Sequence, residues 1–181
     1  MMIARQHYRL FFGEYMTVST GNYLKGMHDS TRAMGRKVIN SDFTFEIEGH
    51  EGLYLLAKQC PDPVLTTGGE IEIPTPLGGT VWEAQQAKTA QQGSVSFLET
   101  TAGNINQMLV TLLKDGGYFN AKIYEGTPKK HLRYKRIEDC FLQIDPTDRD
   151  WENRSQPLTF TGTMFYHYYG EIVAGNSSDY R

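Results

Sequence analysis

The chain has 181 residues, of which 39% are hydrophobic and 12% aromatic, and its formal net charge is -3. A chain of this length forms one domain, or one domain with an arm, and is long enough to bury a sizeable core. The composition argues against disorder and against strong nucleic-acid affinity, and no apolar run approaches the ~20 residues of a membrane span.

Residues 1–40 are predicted to form an N-terminal arm, because they contain too few clustered apolar residues to make a core of their own. Near the start, the alternation of Tyr8, Leu10 and Phe12 with Arg9 and Phe11 would suit a short strand. Further along, residues 19–36 would suit a short helix, although Gly26 and Gly35 weaken this prediction. Its apolar side would comprise Tyr23, Leu24, Met27 and Met34.

Alternating apolar and polar residues predict strands in residues 41–48 and 67–74. The residues expected to face the core are Phe43, Phe45, Ile47, Ile71 and Ile73. Those expected to face away are Thr44, Glu46, Glu48, Glu70 and Glu72. Between the two segments, the more continuous apolar run 53–59 is expected to be the partner strand of residues 41–48.

Residues 84–93, AQQAKTAQQG, are polar and low in complexity, which predicts an exposed loop or hairpin tip. The alternation of Val95 and Phe97 then predicts a strand over residues 94–99. The polar character of the first segment and the apolar alternation of the second place the strand boundary between them.

One helix is predicted at residues 102–115, because apolar residues recur there at i, i+3, i+4, i+7 and i+8. Thr100 and Thr101 are candidate N-caps without the Glu of a capping box, and Gly116-Gly117 ends the helix. We expect the helix to pack against a mostly antiparallel sheet or barrel. The apolar stripe comprises Ile105, Met108, Leu109, Leu112 and Leu113.

Three further strands are predicted at residues 118–125, 132–144 and 157–169, with a polar loop at 145–156 that contains Trp151. The second half of the last strand, MFYHYY, is apolar or aromatic on both faces. Such a strand lies between layers or against a partner chain. Residues 171–181 are expected to form a C-terminal tail after a domain spanning residues 41–170.

No catalytic motif is present: the sequence lacks GxSxG, HExxH, a Walker loop, and GxGxxG after a strand. The five histidines have no metal-ligand spacing, so no catalytic residue, metal or cofactor is predicted. The basic run 129–136 would suit nucleic acid, but a charged outer face of a hairpin is the favoured interpretation. Cys60 and Cys140 are expected to be buried, reduced thiols.

The order of elements resembles that of the tail tube proteins of long-tailed phages, those with contractile tails above all. The matching segments are DFTFEIEG followed by LAKQCPDPVL, the long hairpin GGEIEIPTPLGGTVWEAQQAKTAQQGSVSFLET, and the closing strand PLTFTGTMFYHYYGE. The resemblance covers roughly residues 30–171. The hemolysin-coregulated tube protein of type VI secretion shares this fold and is similar.

The resemblance implies a mainly β fold, an antiparallel β-barrel or sandwich flanked by one α-helix, with an N-terminal arm. It implies a structural virion protein with no enzymatic activity and no cofactor. Homohexameric rings would stack into the inner tail tube, assembled in the host bacterial cytoplasm. The partners would be the sheath, tape-measure and baseplate proteins, and DNA would pass through the lumen without specific binding; a membrane is not among the partners.

A lumen through which DNA slides is expected to be acidic or neutral, since DNA carries about one negative charge per ~1.7 Å of its axis. The lumen candidates are Glu70, Glu72, Glu46 and Glu48. The candidates for contacts between subunits are Tyr8, Leu10, Phe11, Phe12, Tyr23, Phe165 and Tyr168. The arm and the segment 84–93 are expected to reach the neighbouring ring.

Two alternatives remain open from the sequence. One is a tube protein of a type VI-like secretion system. The other belongs to a different class, a ligand-binding or enzymatic β-barrel with His50, Glu51 or His131 in a pocket. The mass in solution separates them, because a pocket protein would be a monomer or small oligomer, whereas a tube protein would form rings or filaments.

Overall fold

The computed structural model describes residues 20–179. The expected arm anchors Tyr8, Leu10, Phe11 and Phe12 therefore lie outside the described residues. The chain divides into two compact units, Met1–Ile39 and Asn40–Arg181.

The first unit contains helix α1, Gly21–Ala33, so the helix considered for the arm is confirmed. It begins at Thr20, whose side-chain oxygen accepts a hydrogen bond from the backbone amide of Tyr23 at 3.4 Å, as N-capping requires. None of its side chains is buried. Gly26 is tolerated within it, which shows that one interior glycine does not prevent this capped helix.

The second unit is mainly β, as expected. Its strands are β1 Phe43–Ile47, β2 Ala57–Gln59, β3 Glu70–Pro74, β4 Thr80–Ala84, β5 Ala90–Leu98, β6 Phe119–Gly126, β7 His131–Ile144, β8 Thr159–His167 and β9 Ile172–Ala174. Helix α2 is Asn104–Lys114, and the two 3₁₀ helices are Glu51–Leu56 and Pro76–Gly78.

Seven strands form one antiparallel sheet in the order β1-β6-β7-β8-β5-β2, with β9 paired to β7, while β3 and β4 pair only with each other. The long strand β7 belongs to both halves of the sheet. Its first half pairs with β6 and β9, and its second half with β8. A register shift between Glu138 and Phe141 and a positive φ of 48° at Asp139 mark the change, which is where a bulge bends a strand.

The sheet curls around its core. The rings of Phe45 on β1 and Phe97 on β5 lie 6.2 Å apart between centroids, although three strands separate β1 and β5 in the sheet. Helix α2 adds Ile105, Met108 and Leu112 to the same core. The other core residues are Ile47, Val95, Phe119, Ala121, Ile123, Ile137, Cys140, Met164, Tyr166 and Tyr168.

The apolar stripe of α2 is narrower than the sequence suggested. Leu109 is partly buried against the core, but Leu113 is 77% exposed. At 3.6 residues per turn, Leu113 lies about 80° around the helix from Ile105, which places it at the rim of the stripe. The interpretation of Leu113 as a core residue was wrong.

The N-terminus of α2 is capped by a residue that the sequence analysis missed. Gly103 occupies the N-cap position in a left-handed conformation, with no side chain to contribute. Instead the Glu99 carboxylate accepts hydrogen bonds from the backbone amides of Thr100, Ile105 and Asn106, at 2.8, 3.0 and 2.9 Å. Thr100 also takes part, because its hydroxyl oxygen accepts from the Asn104 amide at 3.3 Å.

We expect Glu99→Ala to lower the free energy of unfolding at pH 7 by about 1 kcal/mol, the usual cost of losing a cap. Burial raises the pKa of Glu99, but the three amide hydrogen bonds outweigh it and lower the pKa below its ordinary value of 4.5. The stabilisation is therefore complete above about pH 4.5 and is lost as pH falls through the lowered folded pKa. Urea unfolding from pH 3 to 7 should show the two proteins converging at low pH. The exposed Glu152→Gln serves as control, and a difference between Glu99→Ala and wild type that does not depend on pH would contradict this role.

Several predicted elements differ from the observed ones. Residues 53–59 were expected to pair with the first strand, but most of them form the 3₁₀ helix Glu51–Leu56, and β1 pairs with β6 instead. A short apolar run has no period that separates a strand from a helix segment. Residues 84–93 were expected to be a hairpin tip, but Ala90–Gly93 lie in β5, where they pair with β8. The strand β9 was missed because it is only three residues long.

We expect Gly162→Ala to lower the free energy of unfolding by about 1–3 kcal/mol, as overpacking does. A Cβ at Gly162 would overlap the carbonyl oxygen of Gln143 and the Cα of Ile144, where β8 lies close against β7. Both obstacles are backbone atoms, so only a shift of the strands relieves them. The matched control is Gly52→Ala, where nothing lies within 4 Å; equal effects of the two substitutions in urea unfolding would contradict the close approach.

Candidate assembly surfaces

The hairpin of β3 and β4 projects from the curled sheet. All ten of its strand residues are exposed, so the expectation that Ile71 and Ile73 face the core was wrong. The pairing of its two strands continues past the ends of β3 and β4. Backbone hydrogen bonds join Gly68 to Gln86 at 2.8 Å and Gln85 to Gly69 at 3.0 Å.

The tip of this hairpin, residues 75–79, presents a leucine in an unfavourable conformation. Leu77 has a positive φ of 67° and a fully exposed side chain. A bulky residue with φ above zero is an outlier that a turn or a function must account for. The Thr75 amide closes the turn by donating to the Gly79 carbonyl at 2.7 Å.

The two faces of the hairpin follow from its register, because directly opposite residues share a face. Ile73 lies opposite Val81 and Ile71 opposite Glu83, whereas Glu72 lies opposite Trp82. One face is therefore mainly aliphatic, and the other combines Trp82 with the lumen candidates Glu70 and Glu72. In the described chain, no other strand or helix covers either face of the hairpin.

The other two lumen candidates are Glu46, on β1, and Glu48, in the turn that follows β1, and they differ. Glu46 is only 8% exposed and accepts a hydrogen bond of 2.7 Å from the Tyr124 hydroxyl. Burial raises the pKa of Tyr124, and the bond to the Glu46 carboxylate raises it further. Glu46 is thus a buried partner of Tyr124 and does not face an open channel, which corrects the expectation for that residue. Glu48 stays partly exposed, with the Lys122 ammonium 3.4 Å from its carboxylate.

The aromatic segment formed by the end of β8 and the residues that follow it has a core face and an outer face. Tyr168 is 2% exposed and belongs to the core, so its assignment to a subunit contact was wrong. Phe165 is on the other face and stacks on Phe141, with centroids 4.8 Å apart and planes at 9°. Tyr118 meets Phe141 edge-on at 5.8 Å. We call Tyr118, Phe141 and Phe165 the outer aromatic patch.

Next to this patch the sheet presents an uncharged surface. Neither β5 nor β8 contains an Asp, Glu, Lys or Arg, although 22% of the whole chain is charged. Ser94 lies opposite Thr163, and Ser96 opposite Thr161. The face that points away from the core comprises Gln92, Ser94, Thr161, Thr163 and Gln143, and we call it the neutral face. Ser96 is on the same face of β5 but is only 4% exposed.

The basic run 129–136 is largely neutralised within the chain. Arg133 donates to the Glu125 carboxylate at 2.8 Å, and Lys135 donates to the Asp62 carboxylate at 2.7 Å. Lys135 also donates to the Pro63 carbonyl at 2.9 Å. Cations paired in this way are poorly placed to bind nucleic-acid phosphates, so the charged outer face of a hairpin remains the better interpretation.

The residues of the competing pocket interpretation each have a local structural environment in the described chain. His50 lines a crevice with Leu53 and Tyr54 that has room for only 10 Å³, about one water molecule. The Glu51 carboxylate accepts from the Gly49 amide at 3.0 Å, which lowers the pKa of Glu51. His131 packs edge-on against the Tyr124 ring at 4.9 Å.

Among residues 20–179, no group of three His, Cys, Asp or Glu side chains is placed to hold a metal ion. In the same part of the chain, no helix has the length and apolarity to span a membrane. Cys60 and Cys140 are free thiols, partly and fully buried respectively, as expected. Burial raises the pKa of each thiol to about 12, so both are protonated at neutral pH.

No protein-family profile matches the sequence, and no curated protein is significantly similar to it. Solved structures do resemble its fold. A chain of the sheath–tube complex of an extracellular contractile injection system in its extended state has a TM-score of 0.53 at 8% identity, covering 80% of this chain and 95% of that one. Chains of the anti-feeding prophage tube-terminating cap and baseplate score 0.53 and 0.52, at 11% and 12% identity. Each covers 77% of this chain, and 93% and 95% of the other chain.

These likenesses show that the chain has the tail-tube-like fold found in contractile injection assemblies, which confirms the resemblance drawn from the order of elements. The matched chains are covered almost from end to end. The likeness extends over 77–80% of this chain, which is more than a shared β-hairpin or helix.

Proposed function

We propose that this protein is a structural, non-enzymatic subunit of the tube of a contractile tail or injection machine. The observation that carries the proposal is the agreement in fold with chains of such assemblies over more than nine-tenths of their length. The open faces of the second unit support it, because an uncovered apolar hairpin and an uncovered aromatic patch are typical of surfaces that a partner covers.

In this proposal six copies form a ring, and rings stack into a tube that serves as the inner tail tube of a bacteriophage. The neutral face and Glu48 would line the lumen. DNA would pass without being held, since the neutral face has no cation to bind a phosphate and the Lys122 ammonium beside Glu48 is paired with that carboxylate. Sheath, baseplate and tape-measure proteins would be the partners, and assembly would take place in the host bacterial cytoplasm.

A second candidate is a tube-terminating cap, because the anti-feeding prophage cap chain matches as well as the sheath–tube chain, at a TM-score of 0.53. A cap subunit would form a single ring that does not stack further. The two candidates share the subunit fold and differ in whether the ring has one stacking face or two.

Negative-stain electron microscopy of the purified full chain, with its mass in solution measured in parallel, tests the proposal. Stacked tubes would support the tube subunit, and isolated rings would support the cap. A protein that stays monomeric at high concentration would contradict both and would restore the pocket interpretation.

A further inference from the structure

The β3–β4 hairpin is an ordered element that lacks a cover. A two-stranded hairpin is at best marginally stable alone in water, and this one has no third strand or helix against either face in the described chain. Its apolar side chains are large and exposed, with Trp82 at 63%. Such a surface, on a hairpin that pairs only with itself in the described chain, is typical of one that a partner covers.

The charge of the hairpin indicates the chemistry of that partner. Residues 70–84 contain three glutamates, Glu70, Glu72 and Glu83, and no Lys or Arg, which gives a net charge of -3. Neighbouring strands lie only about 5 Å apart. Because the hairpin is this narrow, carboxylates on both of its faces attract a basic group that approaches either face. The partner surface should be apolar with a basic rim.

Helix α1 and the residues after it have these properties. Tyr23, Leu24 and Met27 are all exposed on α1, and none of its side chains is buried. Residues 20–39 contain four basic residues and one acid, a net charge of +3. The four basic residues are Lys25, Arg32, Arg36 and Lys37.

The surface of α1 contains a shallow groove that brings apolar and basic residues together. Leu24, Met27 and Thr31 line it together with His28, Arg32 and Lys37. An aliphatic ridge such as that of Ile71, Ile73 and Val81 would fill a groove of this kind while the glutamates meet the basic rim. Two unpartnered apolar surfaces with charges of +3 and -3 occur on the same chain.

We propose that α1 of one copy binds the β3–β4 hairpin of another copy, with Met27 and Ile73 at the centre of the contact. The proposal rests on the proposed assembly of this protein and names the elements that join its copies. It assigns Glu70 and Glu72 to a contact between copies, and it assigns the exposed Leu77 to the end of the hairpin that extends past α1.

Disulfide trapping tests the contact directly in the full chain. In a Cys60→Ser background, one protein carries Met27→Cys and another carries Ile73→Cys. The two are mixed under wild-type assembly conditions and oxidised with diamide. A covalent dimer on a non-reducing gel that requires both proteins is expected. The matched control replaces Ile73→Cys by Thr147→Cys, and no covalent dimer between the two proteins is expected from that mixture.

Charge reversal supplies the second measurement. The helix variant carries Lys25→Glu and Arg32→Glu, and the hairpin variant carries Glu72→Lys and Glu83→Lys. Because like charges at a contact repel each other, each variant should need about tenfold or more protein to assemble. An equimolar mixture should recover part of that loss, since each protein then offers an unaltered element to the other. Glu152→Lys with Glu171→Lys is the control, and it should assemble as wild type does.

Each outcome bears on one claim. The contact would be overturned if the wild type forms tubes or rings, the charge-reversal variants assemble equally well and no covalent dimer appears. The proposed function would then still stand. A chain that carries both charge reversals could recover assembly while the mixture of the two variants does not. That result would mean that α1 contacts the hairpin of its own copy, and it would also overturn the proposal. A wild type that never assembles would contradict the proposed function itself.

Discussion

Replacing Leu112 by alanine is expected to lower the free energy of unfolding by about 2–5 kcal/mol, the usual range for truncating a buried leucine. Leu112 is 8% exposed, and it packs in the core with Ile105 and Met108. The removed methyl groups leave a cavity between α2 and the curled sheet, which close-packed neighbours fill only in part. Urea unfolding followed by circular dichroism measures the loss.

The control for this prediction is the adjacent residue. Leu113 is 77% exposed, so Leu113→Ala should change stability by no more than about 0.5 kcal/mol. Both substitutions replace the same side chain in the last turn of one helix, so helix propensity cancels in the comparison. Equal losses at the two positions would show that a second copy covers the outer side of α2.

Replacing Phe165 by glutamate is expected to abolish ring formation while the secondary structure is retained. Phe165 stacks on Phe141 in the outer aromatic patch, on the face of β8 that points away from the core. A carboxylate buried there by a neighbouring subunit would lack a partner, and an unpaired buried charge costs several kcal/mol. Sedimentation velocity and electron microscopy measure assembly, and circular dichroism measures the fold.

Trp151→Glu is the matched control, because Trp151 is an exposed aromatic residue in the polar loop before β8. It should assemble normally. Tyr168→Glu should behave in a third way, since a charge in the core would unfold the protein. Normal rings from Phe165→Glu would remove the outer aromatic patch from the list of subunit contacts.

Local patterns predicted most of the elements. The alternation at Val95 and Phe97 predicted a strand, and the helical period from Ile105 to Leu112 predicted a helix. Each pattern reflects one buried face, and a few consecutive residues are enough to reveal it. Segments without such a pattern were misread. Gly93 lies in a low-complexity stretch that resembles a loop, yet it forms part of β5 because β8 pairs with it and Pro61 packs against it.

The candidate surfaces were harder to predict, because they depend on which strand lies beside which. The acid Glu46 alternates as an exposed residue should, and only its neighbour Tyr124 on β6 shows that it is buried. Ile71 and Ile73 alternate as core residues should. Nothing within the hairpin sequence reveals that, among residues 20–179, β3 pairs with β4 and with no other strand.

The pairing of β1 with β6 has a consequence for how the chain reaches this structure. Phe45 pairs with Ile123, 78 positions later, so β1 has no strand to join until most of the chain has been synthesised. Pairings of such long sequence separation are slow, and folding within milliseconds to seconds is typical of domains that they dominate. The hairpin of β6 and β7 is local by comparison, and it is the natural place for the sheet to start. During that interval the apolar side of β1 is exposed to chaperones and to misfolded neighbours.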